Sequence, residues 1–189
     1  MRNILLTALL LASTSLMAQT RYSNPVYNID FADPSVQRAT DGTFYAYATG
    51  CAVAKSSDLV HWTNVNNVFY RPTWNDSTYV KDGKQQTDYY SLWASDVNYV
   101  DGKYIMYYAS ALWGNGSRTG IGVATATSPT RFTDVGRMFR STEIKVENSI
   151  DPCYIEEGDK KYLAWGSFNG IYIAELTDDG LAVKDFKSV

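Results

Sequence analysis

Three stretches of this chain share one plan: an aspartate, a short extended run, a turn signal, and a second run rich in aromatic residues. The first is Asp33-Pro-Ser-Val36, then Asp41-Gly42, then Phe44-Tyr-Ala-Tyr-Ala48. The second is Asp96-Val-Asn-Tyr-Val100, then Asp101-Gly102, then Tyr104-Ile-Met-Tyr-Tyr108. The third is Asp151-Pro-Cys-Tyr-Ile155, then Gly158-Asp159, then Tyr162-Leu-Ala-Trp165. The leading aspartates lie 63 and 55 residues apart, the scale of a repeating all-β unit. If equivalent positions of successive units line one axis, these carboxylates converge.

Helical periodicity is nearly absent after residue 18, and runs of β-branched and aromatic residues alternate with turn signals such as Asp82-Gly83 and Asp179-Gly180. Each unit divides into four strands. The spacing predicts 35–38, 43–49, 51–55 and 61–65 in the first, and 97–100, 103–109, 120–126 and 132–135 in the second. In the third it predicts 153–156, 161–165, 170–176 and a last strand near 183–186. Four antiparallel strands per unit, repeated, define propeller blades. A β-sandwich is the alternative, but it has no reason to place an aspartate at the same phase of each unit. Asn66 to Leu92 breaks the rhythm. It is polar yet carries Phe69, Tyr70, Trp74, Tyr79, Tyr89 and Tyr90, and reads as a long loop packed through its aromatics. Trp113-Gly-Asn-Gly-Ser117 is a shorter glycine-rich loop, suited to close approach of backbone to a ligand.

The first eighteen residues read as a secretory signal: Arg2, an apolar run from Ile4 to Leu11, and the small residue Ala18 before Gln19. The apolar run is too short to span a bilayer, and no later stretch could cross one. The expected location is therefore secreted or periplasmic. Without the signal, 16 basic residues face 20 acidic ones, a balance that argues against nucleic-acid binding. Cys51 and Cys153 could pair in an exported protein. Two cysteines make no framework, however, and the reading favours two unpaired core residues. His61, the single histidine, has no Cys/His cluster near it and reads as structural, so no metal site follows.

The Asp-Pro pairs carry the chemistry. Proline biases the preceding residue toward extended geometry, which would hold Asp33 and Asp151 at strand entrances, beside Ala32 and Ile150. Two preorganised carboxylates near one axis suit glycosidic hydrolysis, where one takes a proton from water while another group protonates the departing oxygen. Two Asx-type turns are the competing structural reading.

Ala32-Asp-Pro-Ser-Val36, Lys55-Ser-Ser-Asp-Leu-Val-His-Trp62, Trp93-Ala-Ser-Asp-Val97, Asn148-Ser-Ile-Asp-Pro152 and Gly166-Ser-Phe-Asn-Gly-Ile171 resemble the motifs of glycoside hydrolase family 43. Their spacing is most similar to the endo-α-1,5-L-arabinanase branch, and the resemblance covers nearly all of residues 28–189. It implies an all-β, five-bladed β-propeller, of which about three blades are expected here: 30–92, 93–147 and 148–189. It also implies inverting hydrolysis of arabinan or arabinoxylan-type plant cell-wall glycans. By motif, Asp33 resembles the general base, and Asp151 the carboxylate that orients the acid and raises its pKa by like-charge proximity. Asn148, Ser149 and Ile150 would line the pocket, with Ser167, Phe168 and Asn169 at the sugar site. Trp93 would stack on a sugar, Gly114 would let backbone approach it, and Asp96 matches a further motif position whose proline is replaced by Ser95.

The family's acid is a glutamate of the fourth blade. Glu143, Glu147, Glu156, Glu157 and Glu175 lie in the wrong context to replace it, so the chain is expected to be an N-terminal portion, inactive and poorly soluble alone. No cofactor is required. The resemblance allows a structural calcium ion in the complete propeller, but the histidine associated with it belongs to the missing blades. An exo-acting α-L-arabinofuranosidase or β-xylosidase, or a non-catalytic sugar-binding propeller, stays open.

Overall fold

A computed structural model describes residues 22–66, 68, 69, 72, 74 and 76–186. The expected signal segment lies outside them. Four antiparallel sheets follow in chain order. The first contains β1 (Ser35–Arg38), β2 (Phe44–Ala48), β3 (Ala52–Ser56) and β4 (Thr63–Val65), hydrogen-bonded in that order. A hairpin of β5 (Asp76–Lys81) and β6 (Lys84–Tyr89) stands next. The second large sheet contains β7 (Ser91–Val100), β8 (Lys103–Ala111), β9 (Gly120–Ala126) and β10 (Thr133–Arg140). The third contains β11 (Cys153–Glu157), β12 (Lys160–Ser167) and β13 (Gly170–Glu175).

Turn chemistry sets these pairings. Asp82-Gly83 and Asp101-Gly102 both have positive φ at each residue, the condition for the two-residue turns whose twist matches antiparallel strands. Lys81 thus faces Lys84, and Val100 faces Lys103. Asn66 to Leu92 is therefore not one loop, as expected, but contains its own hairpin. The weak apolar alternation of 76–89 hides it from a pattern reading. Phe69 and Tyr90 are buried and Trp74 stacks on Tyr108, so those aromatics do pack. Tyr70, and the side chains of Tyr79 and Tyr89, lie outside the described residues. In the third unit the expected fourth strand is reduced to one bridge, Leu176 with Val183.

Strand β8 is the spine. Its side chains alternate between faces, as the period of two requires. Tyr104, Met106 and Tyr108 enter a core with Tyr45, Tyr47 and Val53 of the first sheet. Ile105 and Tyr107 enter a second core with Leu163 and Trp165 of the third. A strand covered on both faces must be apolar throughout, which explains the unbroken run from Tyr104 to Ala109. The three large sheets pack face to face about the middle one, and their inner ends meet around the cavity described below. His61 is exposed and donates structure to a turn: its ring lies 2.7 Å from Asp58, which also accepts the Val60 and His61 amides. The two thiols are unpaired, but only Cys51 packs against a core, because Cys153 is exposed.

Candidate active site

A cavity of about 750 Å³ opens where the entries to β1 and β11 and the start of β7 meet the ends of β2, β8 and β12, within the usual range for a small-molecule cleft. Asp33 and Asp151, 118 positions apart in sequence, both line it. The two are held by the same backbone device. The carbonyl of Ala32, just before Asp33, accepts the Thr49 amide at 3.0 Å; the carbonyl of Ile150, just before Asp151, accepts the Gly166 amide at 2.9 Å. Each aspartate is thus pinned to the end of the second strand of its own sheet, at matching points of two repeats.

Both aspartates have φ of 54°. The extended geometry anticipated from Asp-Pro is therefore not adopted at φ. Aspartate tolerates the left-handed region better than most residues, and the tertiary hydrogen bonds at Ala32 and Ile150 override the local bias. Asn148 at 59° shares this backbone strain, so three such residues line one cavity, each costing about 1–3 kcal/mol. Partial burial raises the Asp151 pKa, and the negative charge of Asp33 raises it further. Buried Ile150 contributes to that desolvation, whereas Ala32 beside Asp33 is exposed.

The segment before Asp151 hangs on a buried hydroxyl network. Ser141 Oγ accepts the Ser149 amide at 3.0 Å and lies 2.7 Å from Thr119 Oγ1, which donates to the Gly116 carbonyl at 3.0 Å. The Asn148 amide donates to the same Gly116 carbonyl at 2.9 Å. Asn148 Nδ2 then donates to Ser167 Oγ at 2.6 Å, which also receives the Phe168 amide.

Trp93, Gly114, Asn148, Ile150, Ser167 and Phe168, all anticipated, line the cavity. Three anticipated residues do not. Asp96 turns instead toward the junction of the second and third sheets, accepting the Tyr154 amide at 2.7 Å and Asn98 Nδ2 at 2.9 Å; burial raises its pKa. Ser149 is fully buried and donates to the Val146 carbonyl. Asn169 sits in the exposed turn after β12, its carbonyl accepting the Tyr172 hydroxyl. Pattern reading missed Thr49 and Trp113, which also line the cavity. Thr49 carries no motif signal, while Trp113 lies within the glycine-rich loop already noted. Trp113 is 87% exposed and meets Trp93 at 5.7 Å between ring centres; with fully exposed Phe168 it gives the rim flat apolar surfaces suited to sugar C–H faces. Among the described residues, no group of three or more His, Cys, Asp or Glu side chains could hold a metal ion.

Blade-like sheets around a cavity bearing two carboxylates and an aromatic rim have the architecture of part of a β-propeller. The chain matches the Glycosyl hydrolases family 43 model over residues 22–189 and belongs to that family. It is 39% identical over 154 residues to a probable arabinan endo-1,5-alpha-L-arabinosidase C of Aspergillus niger, covering 77% of this chain and 45% of that protein. The Cellvibrio cellulosa alpha-L-arabinanase complexed with arabinohexaose superposes with a TM-score of 0.68 at 26% identity, over 83% of this chain and 51% of that one. An exo-1,5-alpha-L-arabinanase from a bovine ruminal metagenomic library gives a TM-score of 0.67 at 28% identity, over 87% and 56%. The fold is accordingly that of the five-bladed β-propellers, with three blade-like sheets in this chain. The chain spans about half the length of the curated relatives it matches.

Proposed function

We propose that this chain is the substrate- and base-bearing part of a hydrolase that cleaves the α-1,5-L-arabinofuranosidic bonds of arabinan. The observation that carries the reading is the placement of Asp33 and Asp151 at matching points of two repeats on one aromatic-rimmed cavity, in a family 43 chain. Asp33 takes the proton of the attacking water. Asp151, as a carboxylate beside the acid, orients it and raises its pKa by like-charge proximity. A glutamate on a further sheet supplies that acid, and the anomeric carbon inverts. Inverting sites hold base and acid about 6.5–9.5 Å apart to seat the water. Residues 1–18 direct export, giving a secreted or periplasmic enzyme, and residues 1–189 alone bind saccharide without turnover. The name of the Aspergillus niger relative favours endo cleavage.

The exo-arabinanase likeness favours a second reading, release of single sugars from chain ends. Expression of the chain with its downstream coding sequence, followed by product analysis on linear arabinan and on arabinoxylan, separates them. Mixed oligomers from arabinan support endo action, monomer alone supports exo action, and no turnover of either glycan overturns the hydrolase reading. Asp33→Asn should abolish turnover while sparing binding, and normal turnover by that variant refutes the base assignment.

A further inference from the structure

The matching frames of Asp33 and Asp151 differ at one point. The residue whose amide pins the first aspartate is Thr49; the residue whose amide pins the second is Gly166. Thr49 Oγ1 donates to Asp33 Oδ2 at 2.8 Å. Gly166 has no side chain to offer Asp151, and none could be added: a Cβ there would stand 2.2 Å from the Gly170 carbonyl oxygen.

The direction of the Thr49 bond is set by the second sheet. Between Trp93 and Asp96 the register of β7 against β8 slips, because three steps on β7 face two on β8, from Ala109 to Tyr107. This is a β-bulge, a feature that re-aims backbone groups. It leaves Ala94 at φ 26° and sends its amide to Thr49 Oγ1 at 3.1 Å. A hydroxyl has one proton and two lone pairs. With its oxygen accepting from Ala94, the Thr49 proton is committed to Asp33. The bulge also carries Trp93, so one distortion places the aromatic platform and orients the carboxylate.

Resting on the assignment of Asp33 as the base, we propose that Thr49 is its positioning residue: the Ala94–Thr49–Asp33 relay holds one carboxylate oxygen and presents the other to water. The absence of a counterpart at Gly166 leaves Asp151 for a different role. The two repeats thus share a backbone frame and diverge in chemistry through one side chain.

Two measurements test this. In the protein expressed with its downstream coding sequence, Thr49→Val keeps the shape but removes the hydroxyl. Turnover of arabinan should fall about 10- to 100-fold with KM nearly unchanged, as misplacing a reacting group does. Thr49→Ser should recover most of it. Unchanged turnover in Thr49→Val, a loss carried by KM, or failure of serine to rescue overturns the proposal. In residues 1–189, hydrogen exchange at the Ala94 amide should quicken roughly tenfold in Thr49→Val and stay near wild type in Thr49→Ser. An unaltered Ala94 rate overturns the relay whatever the substrate. If exchange responds as expected but Asp33→Asn retains turnover, the relay stands as structure and it is the base assignment that fails.

Discussion

Removing the Ser141 hydroxyl should cost far more than its single oxygen suggests. Ser141 is buried at 2% exposure, and its Oγ accepts the Ser149 amide while pairing with Thr119. In Ser141→Ala, Thr119 keeps its bond to the Gly116 carbonyl, so that side loses one net hydrogen bond, about 1 kcal/mol. The Ser149 amide is left buried without a partner, which costs about 1–3 kcal/mol more. The expected loss is therefore about 3 kcal/mol, and for a chain of this size melting should fall by about 6–12 °C. Ser149→Ala is the informative contrast. Its hydroxyl donates only to the Val146 carbonyl, so its removal orphans no amide and should cost about 1 kcal/mol. Urea unfolding of the three proteins measures both values, and an unchanged m-value shows that the unfolded state is the same. A Ser141→Ala loss below about 0.5 kcal/mol, or one no larger than that of Ser149→Ala, would refute the claim that this hydroxyl suspends the segment carrying Asp151.

Asp151 gives a pH signature. Its pKa is raised in the folded state, by burial first and Asp33 second, so the folded chain holds that proton to higher pH than the unfolded chain does. Below the ordinary value near 3.8 the group imposes no penalty; as pH rises through the folded value stability is lost. Asp151→Asn should then be more stable than wild type at pH 7 and equal to it at pH 3 by urea unfolding; a less stable variant at pH 7 contradicts the desolvation argument. Burial pushes the Cys51 thiol up to about 12, whereas Cys153 is exposed. A thiol reagent at pH 8 should label Cys153 first and Cys51 only on unfolding, and equal rates would mean the first core is open. On β13, Ile171 and Ile173 are 74% and 47% exposed. Changing both to Thr keeps strand propensity and should raise soluble yield and reduce self-association in size-exclusion chromatography; an unchanged elution profile would show that this face is not the sticky one.

The strands were legible because their signals are local. An alternating face along β1, an Asp-Gly pair between β7 and β8, and a glycine-led start to β9 each act within a few residues, and β1 and β9 begin and end where the pattern puts them. The β5–β6 hairpin was less visible, since polar strands held by a turn carry little periodicity. The fourth strand of the third unit failed for the opposite reason: its residues suit a strand, but only Val183 finds a pairing partner.

The candidate site divides along the same line. Repetition of Asp33 and Asp151 at one phase is a property of the chain, and it places two carboxylates at matching points once the sheets form. Thr49 was invisible because its partners, Asp33 and Ala94, stand 16 and 45 residues away, and only sheet packing brings the three together. Asp96 and Ser149 share the motif context of the cavity residues yet point elsewhere, because side-chain direction depends on a bulge in β7 and on a buried hydroxyl at Ser141. Residue type and spacing therefore determined which groups come near the axis, since both follow from the two-residue period of a strand. Which of them face the cavity was decided by hydrogen bonds between distant segments, and those exist only after the sheets have packed.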